Sequence, residues 1–255
     1  MRIADFYDYN LHVAYYCKRS WAMTFKYQDL KQGFSFISAE QYINDIDSRA
    51  SLAKINHLYE TELQVDGPRK RAYLKLEWER ATQKLTVSQN QNYFQTAASN
   101  QADGGKTRQF AVMDTSILAL PLMQNLLKHN LNIIAGYEPL NAHDSLTLGL
   151  HFIQYLADKN CASYSSPVGL HMDDEPLVFV HLVELSNNAL GGDNLIASLG
   201  NQEITSVIRL EQPMDTILLN RNCYHAVTPL GSRVGKAIRN IILFTIEPAH
   251  TQVAA

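Results

Sequence analysis

The sequence predicts a mainly β fold with supporting helices, built on a double-stranded β-helix (a cupin-like jelly roll). Three observations predict it. From residue 177 onward, strand-like segments follow one another with turns at short intervals, the pattern of an antiparallel sandwich or jelly roll. Helical periodicity is confined to two segments in the first half, where helices can brace one outer face of the sheets. The 255 residues suit one domain, because all-β domains commonly reach this length. The expected layout is a single domain over 1–255, with a mainly helical part over 1–65 packing on a jelly-roll core over 66–248.

Taken in order, Ser38-Ala39-Glu40-Gln41 has the form of a capping box, with a polar cap followed three residues later by Gln. Tyr42, Ile43, Ile46, Ala50 and Ala53 then recur at helical spacing, which predicts a first helix. Residues 72–78 alternate around Tyr73, Leu74, Leu76 and Trp78 and predict a strand. Residues 89–106, rich in Gln, Asn, Ala and Ser and closing on Gly104-Gly105, predict a long loop around a short extended piece. Pro121 suits the first turn of a second helix, with Leu122, Met123, Leu126 and Leu127 as its buried stripe. Strands are expected at 146–152, 177–185, 195–199, 205–210, 216–219 and 238–246, with a turn at 187–194 around Gly191-Gly192.

Composition narrows the function classes. Hydrophobic residues make up 46% of the chain, enough for a sizeable core without disulfides or structural metal. A net charge of −3 gives no basic footprint for nucleic acid; Pro68-Arg69-Lys70-Arg71 is the one basic patch. Three widely spaced cysteines, Cys17, Cys161 and Cys223, argue against a disulfide framework and fit a reducing cytoplasm. No apolar run heads the chain as a signal peptide does, and none is long enough to span a membrane. The expectation is a cytoplasmic protein whose partner is a small molecule, with no nucleic acid and no membrane; the sequence leaves the oligomeric state open.

The chemistry centres on Gly169-Leu170-His171-Met172-Asp173. On an extended chain, residues i and i+2 project to the same side, so His171 and Asp173 point together. In a jelly roll, a later strand returns beside an earlier one, which makes His225 the candidate third ligand. Two His and one carboxylate on one face form the facial triad of Fe(II) oxygenases, which leaves positions open for a chelating co-substrate and O2. A dicarboxylate co-substrate needs a counter-charge, and a guanidinium binds a carboxylate with two parallel hydrogen bonds. Arg233 and Arg239 are the candidates. Arg233 sits in a turn-like stretch, whereas Arg239 opens the apolar run Ile241-Ile242-Leu243-Phe244, where a charge needs a reason to be inside; Arg239 is preferred.

These motifs resemble those of the bacterial Fe(II)/2-oxoglutarate dioxygenases that hydroxylate free aliphatic amino acids, the L-isoleucine hydroxylase type. The resemblance runs over roughly residues 66–248. It begins at Asp66-Gly67-Pro68-Arg69-Lys70-Arg71 and passes through Tyr93-Phe94-Gln95, Asn100, Gly104-Gly105, Arg108 and Phe110. It continues with the His171/Asp173 motif, Phe179-Val180-His181-Leu182, Gly191-Gly192-Asp193, His225-Ala226-Val227-Thr228-Pro229 and Arg239-Asn240-Ile241. The resemblance implies Fe(II) on His171, Asp173 and His225, with 2-oxoglutarate and O2 as co-substrates. It places the far carboxylate of 2-oxoglutarate on Arg239 and Thr228. It also implies hydroxylation of a leucine-, isoleucine- or methionine-like amino acid, with succinate and CO2 formed.

The chain departs from the family pattern in two places. Asp174, followed by Glu175, stands where the family commonly has Gly; the pair reads either as a solvated turn or as a site for a substrate ammonium. Where the family tends to have a basic residue before the ligand strand, this chain reads His151-Phe152-Ile153-Gln154-Tyr155. Arg69, Arg71 and Arg108 read as surface or sheet-edge charges, with Arg108 also a candidate for the substrate carboxylate. Tyr93 and Phe94 read as core, and His181 as a hydrogen-bonded core histidine. Three competing classes stay open: a hydroxylase of another small molecule or peptide, a non-catalytic cupin-like binding protein, and a closed zinc site recruiting Cys223.

Overall fold

A computed structural model describes residues 30–67, 69–97 and 104–249. Cys17, Pro68, Asn100 and the expected helical stretch over 1–29 lie outside the described residues. The elements in chain order are β1 (Phe34–Ile37), α1 (Ile46–Thr61), β2 (Gln64–Asp66), β3 (Arg69–Glu79), β4 (Lys84–Val87), β5 (Tyr93–Phe94), β6 (Thr107–Arg108) and β7 (Ala111–Val112). Then follow α2 (Pro121–Ala135), β8 (Ser145–Asp158), β9 (Leu177–Leu185), β10 (Ala189–Leu190), β11 (Asn194–Ala197), β12 (Ile204–Ile208), β13 (Thr216–Asn220), β14 (Tyr224–Val227), β15 (Gly231–Ser232) and β16 (Lys236–Pro248).

The fold is mainly β with supporting helices. A nine-stranded sheet runs β1-β13-β9-β16-β8-β3-β2, with β4 and β7 both pairing β3. The β3–β7 pair is parallel, so the sheet is mixed. A separate three-stranded sheet has the order β12-β11-β14. Among the described residues, no helix is long and apolar enough to cross a membrane.

The central strands are covered on both faces, which explains their near-continuous apolar sequences. Along β9, Leu177, Phe179 and Val183 face a core shared with α2 residues Leu122, Met123 and Leu126. The alternate residues Val178, Val180 and Leu182 face a second core containing Ile196 of β11. Strand β8 divides the same way: Leu150 and Phe152 point to the helices, Ile153 and Tyr155 to the opposite core. His181 falls on the helix side, as the core reading expects. Its Nε2 lies 3.0 Å from Asn130 Nδ2 and its Nδ1 2.7 Å from Thr216 Oγ1.

The second helix forms as expected, with Pro121 at its first position and Leu122, Met123, Leu126 and Leu127 buried. The first does not. Ser38 caps only a short 3-10 turn, Ala39–Gln41. The α-helix starts at Ile46 under a second capping box, in which Asp45 accepts from the Ser48 N–H and Ser48 Oγ from the Asp45 N–H. Its buried face is Ser48, Ser51, Ile55 and Tyr59, while Ile46 is 81% exposed. Two polar residues on the buried face hid its true periodicity. The loop expected over 89–106 is present in its described parts, with β5 as its short extended piece.

Helix α1 is tied to the large sheet by Tyr59. Its hydroxyl donates to the carbonyl of Ile241 at 2.5 Å, where the β16–β9 register shifts, and its ring meets Phe152 edge-on at 6.2 Å. Tyr59→Phe is expected to lower unfolding stability by about 1 kcal/mol through the lost hydrogen bond. Phe152→Ala is expected to cost about 3–5 kcal/mol through cavity formation. Urea unfolding of the two variants checks both values; an unchanged stability in Tyr59→Phe would mean that Tyr59 holds the helix by packing of its ring and not through its hydroxyl.

Candidate active site

The 169–173 motif lies in the segment between β8 and β9, and His225 lies on β14 beside Ile196 of β11. One antiparallel bridge joins them: the His171 N–H donates to the His225 carbonyl at 2.9 Å, and the His225 N–H to the His171 carbonyl at 2.8 Å. The strand expected around the motif is reduced to this bridge. Gly169, at φ +91°, turns the chain into it, and Pro176 brings no N–H to prolong a ladder beyond it. His171 and Asp173 nevertheless converge with the returning histidine.

His171 Nε2 is 3.5 Å from Asp173 Oδ1, and His225 Nε2 is 3.3 Å from Asp173 Oδ2. One ligand atom from each of the three residues lies within 4.8 Å of the others, a spacing that a single ion can bridge. The Gly169 carbonyl lies 3.0 Å from His171 Nδ1 and orients the ring so that Nε2 faces the site. Burial, with His225 adding to it, lowers the His171 pKa below its ordinary value and favours the neutral, ligating imidazole. Burial pushes the Asp173 carboxyl up, but His225 and His171 outweigh it and hold its pKa below the usual value.

The three residues open onto a cavity between the two sheets, whose wall also carries Arg239. Strand register explains this placement. Arg239 of β16 lies opposite Tyr155 of β8, which lies opposite Arg69 of β3, so the three share one row on the cavity face. Arg239 is 2% exposed, its guanidinium carbon lies 5.7 Å from the Tyr155 ring centroid, and its Nη2 has no hydrogen-bond partner. A buried, unsatisfied cationic donor beside a two-His, one-carboxylate set fits an anionic co-substrate chelating a metal there. Gly192 makes room for it: a Cβ at that position would stand 3.0 Å from Arg239 Cδ, and its φ of +77° suits glycine. Arg233, by contrast, is exposed.

The other sequence candidates separate. Thr228 is absent from the cavity lining; its Oγ1 accepts from the Asp193 N–H at 3.0 Å and braces the turn behind Arg239. Asp174 is also absent from the lining, and its carboxylate accepts from the Thr96 N–H at 2.8 Å, pinning the 89–97 segment to the metal turn. Glu175 lines the cavity, is buried, and accepts from the Tyr93 hydroxyl at 3.3 Å. Burial, with Asp173 adding to it, pushes the Glu175 carboxyl up to about 8. Arg108 lines the same wall, where its Nη2 donates to Gln95 Oε1 at 3.2 Å.

Two expectations need correction. Arg69 and Arg71 are not surface charges; both are buried and line the cavity. Strand parity already carried the signal, because Arg69, Arg71 and Tyr73 alternate onto one face of β3. Tyr93 lines the cavity as well and is not core alone, whereas Phe94 is exposed. Cys223 stands outside the metal-ligand group. Its buried Sγ donates to the Gly33 carbonyl at 3.3 Å, and burial, with Asp173 adding to it, pushes its thiol up to about 11. A thiolate ligand for zinc is therefore not supported.

Comparison with known proteins agrees with this geometry. The chain is 38% identical over 237 residues to 3(1)-hydroxy-L-isoleucine 4-dioxygenase of Pantoea ananatis (strain AJ13355), covering 88% of this chain and 95% of that one. It is 36% identical over 224 residues to L-isoleucine-4-hydroxylase of Bacillus thuringiensis, covering 87% and 93% respectively. The crystal structure of IDO from Bacillus thuringiensis superimposes with a TM-score of 0.79 at 34% identity, over 88% of this chain and 97% of that one. The profile of the 2OG-Fe dioxygenase family matches residues 53–245. With most of the chain inside that match and the metal-ligand set within it, the protein belongs to the 2OG-Fe dioxygenase family.

Proposed function

We propose that this dioxygenase hydroxylates a free aliphatic L-amino acid of the leucine, isoleucine or methionine type at an unactivated side-chain carbon, with formation of succinate and CO2. The observation that carries the reading is the unpaired, buried Arg239 guanidinium on the same cavity as His171, Asp173 and His225. The substrate class is supported by the names of the two relatives, each matched over nearly its whole length.

His171, Asp173 and His225 would hold Fe(II) at the cavity wall. Arg239 binds the far carboxylate of 2-oxoglutarate, while Thr228, through its bond to the Asp193 N–H, keeps the supporting turn in place. Bound iron, with 2-oxoglutarate and O2, supplies the oxidising power to insert one oxygen atom into a C–H bond. The remaining task of the chain is to position the substrate and exclude water. Val178, Val180, Leu219, Ile241 and Leu243 form the apolar wall that does the second. Such a wall separates aliphatic side chains by about 1–3 kcal/mol per methylene, so several related amino acids are expected to turn over.

We read the large sheet and the β12-β11-β14 sheet as the two walls of a double-stranded β-helix, with the His171–His225 bridge joining them at the candidate metal ligands. On this reading the chain is one domain, with residues 66–248 as its catalytic core. A cytoplasmic setting fits the two described free thiols, Cys161 and Cys223.

The deciding experiment loads the protein anaerobically with Fe(II), adds 2-oxoglutarate, O2 and a panel of free L-amino acids, and reads products by mass spectrometry. A product heavier by one oxygen atom, with matching succinate, is the expected result. No turnover across the panel would overturn the substrate reading. Asp173→Ala is expected to abolish turnover with the circular dichroism spectrum unchanged; retained activity would break the ligand assignment. Arg239→Ala is expected to raise the 2-oxoglutarate requirement by roughly 30-fold or more, equivalent to about 2 kcal/mol. An unchanged requirement would mean that another group binds the far carboxylate.

A further inference from the structure

The wall of the cavity formed by β3, β5 and β6 carries charges that the iron and 2-oxoglutarate do not use. Arg71 is 7% exposed, lines the cavity, and has no hydrogen-bond partner for Nε or Nη1. Its ion-pair partner is Asp66, 3.7 Å from Nη1, and the same carboxylate oxygen lies 3.5 Å from Arg69 Nη2. One negative charge therefore serves two buried guanidiniums. Arg108 adds another positive charge. Its polar partner is the neutral amide of Gln95, and its buried Nε has no hydrogen-bond partner. Burying guanidinium groups without matching anions is costly, so this wall is built for an anion that arrives with a ligand.

The two guanidiniums are held by aromatic faces. The guanidinium carbon of Arg71 lies 4.6 Å from the Phe110 ring centroid, and that of Arg108 lies 5.5 Å from the same centroid and 4.9 Å from that of Tyr93. Phe110 is thus a shared platform that brings Arg71 and Arg108 to one spot. Tyr93 links this spot to Glu175: its ring lies against Arg108 and its hydroxyl donates to Glu175 Oε1 at 3.3 Å. Glu175 is buried on the cavity wall next to the metal turn, and no ion pair reaches it among the described residues. A pair of guanidiniums and a buried carboxyl group, bridged by one tyrosine, match the carboxylate and the ammonium of an α-amino acid.

We propose that Arg71 and Arg108 bind the α-carboxylate of the substrate and Glu175 binds its α-ammonium, so that this clamp, on the Phe110–Tyr93 platform, makes the enzyme specific for free amino acids. The clamp rests on the amino-acid reading and deepens it. It also gives the substrate two fixed points at the head, so the side chain projects past the metal with little freedom to turn. An amino acid within a peptide chain lacks both charges and loses both contacts.

The test removes one charge from the ligand and one partner from the protein. The iron-loaded enzyme with 2-oxoglutarate, kept anaerobic, is titrated calorimetrically with L-isoleucine, with 3-methylpentanoate, which lacks the amine, and with 2-methylbutylamine, which lacks the carboxylate. The wild type is expected to bind isoleucine at least about tenfold more tightly than either analogue, a difference of about 1.4 kcal/mol. In Glu175→Gln, the preference over 3-methylpentanoate is expected to fall within about threefold, while the preference over 2-methylbutylamine persists. Arg71→Gln is expected to do the reverse, and Arg71→Lys, which keeps the charge, to retain part of the preference over 2-methylbutylamine. Each variant should bind 2-oxoglutarate as the wild type does, which reports an intact iron cavity. Variants that weaken all three ligands alike, or leave both preferences intact, would overturn the clamp while amino-acid turnover stands. A wild type that hydroxylates no free amino acid in the product assay overturns the substrate reading and the clamp together.

Discussion

Two reciprocal hydrogen bonds between the backbones of His171 and His225 hold the site together. They join a segment that leads into β9 of the large sheet to β14 of the small one, and so set His171 and His225 side by side. The side chains of a bridged pair stand side by side, and here the imidazole centroids are 4.2 Å apart. Asp173 reaches the same point from two residues further on, so its carboxylate touches both rings. The Asp173 carboxylate stands between the two imidazole rings, in a set that one cation could bridge. Its charge is held ionised by the very rings that would share the metal with it.

The cavity is ordered by the parity of the central strands. β8 and β9 send alternate side chains into two cores, one under the helices and one between the sheets. The face between the sheets carries Tyr155 and Arg239 in one lateral row with Arg69, and the apolar residues of β9 and β16 beside them. Because the pairing is continuous along β3, β8 and β16, a slip of one residue would turn Arg69, Arg71 and Arg239 into the apolar core under the helices. The packing of Phe152, Phe179 and Phe244 on the far face therefore keeps the guanidiniums in the cavity, and Tyr59 fastens α1 over that packing.

Two groups of buried charge line the cavity. Arg239 has the Tyr155 ring beside it and a glycine turn giving it room. Arg71 and Arg108 stand in a crowded aromatic setting with Glu175 within reach of the same tyrosine. The unsatisfied Nη2 of Arg239 suits a single distal carboxylate, whereas a mixed cluster of cations and one acid suits a dipolar ligand.

The sequence by itself determined the element types of the second half, the second helix and the trio His171, Asp173 and His225 as candidate metal ligands. Alternation and glycine turns are local signals, and β9 occupies the expected span of 177–185. Arg239 was legible for a related reason: a charge at the head of an apolar strand has few explanations. The first helix was misread because its buried face contains Ser48 and Ser51, whose polarity masked the periodicity that burial produces. The burial of Arg69 and Arg71, the removal of Asp174 to a loop contact and the inward placement of Glu175 were decided only by the tertiary structure. Each depends on which strand or loop lies opposite, and adjacent acids such as Asp174 and Glu175 carry the same local chemistry until the fold gives one a backbone N–H and the other a cavity.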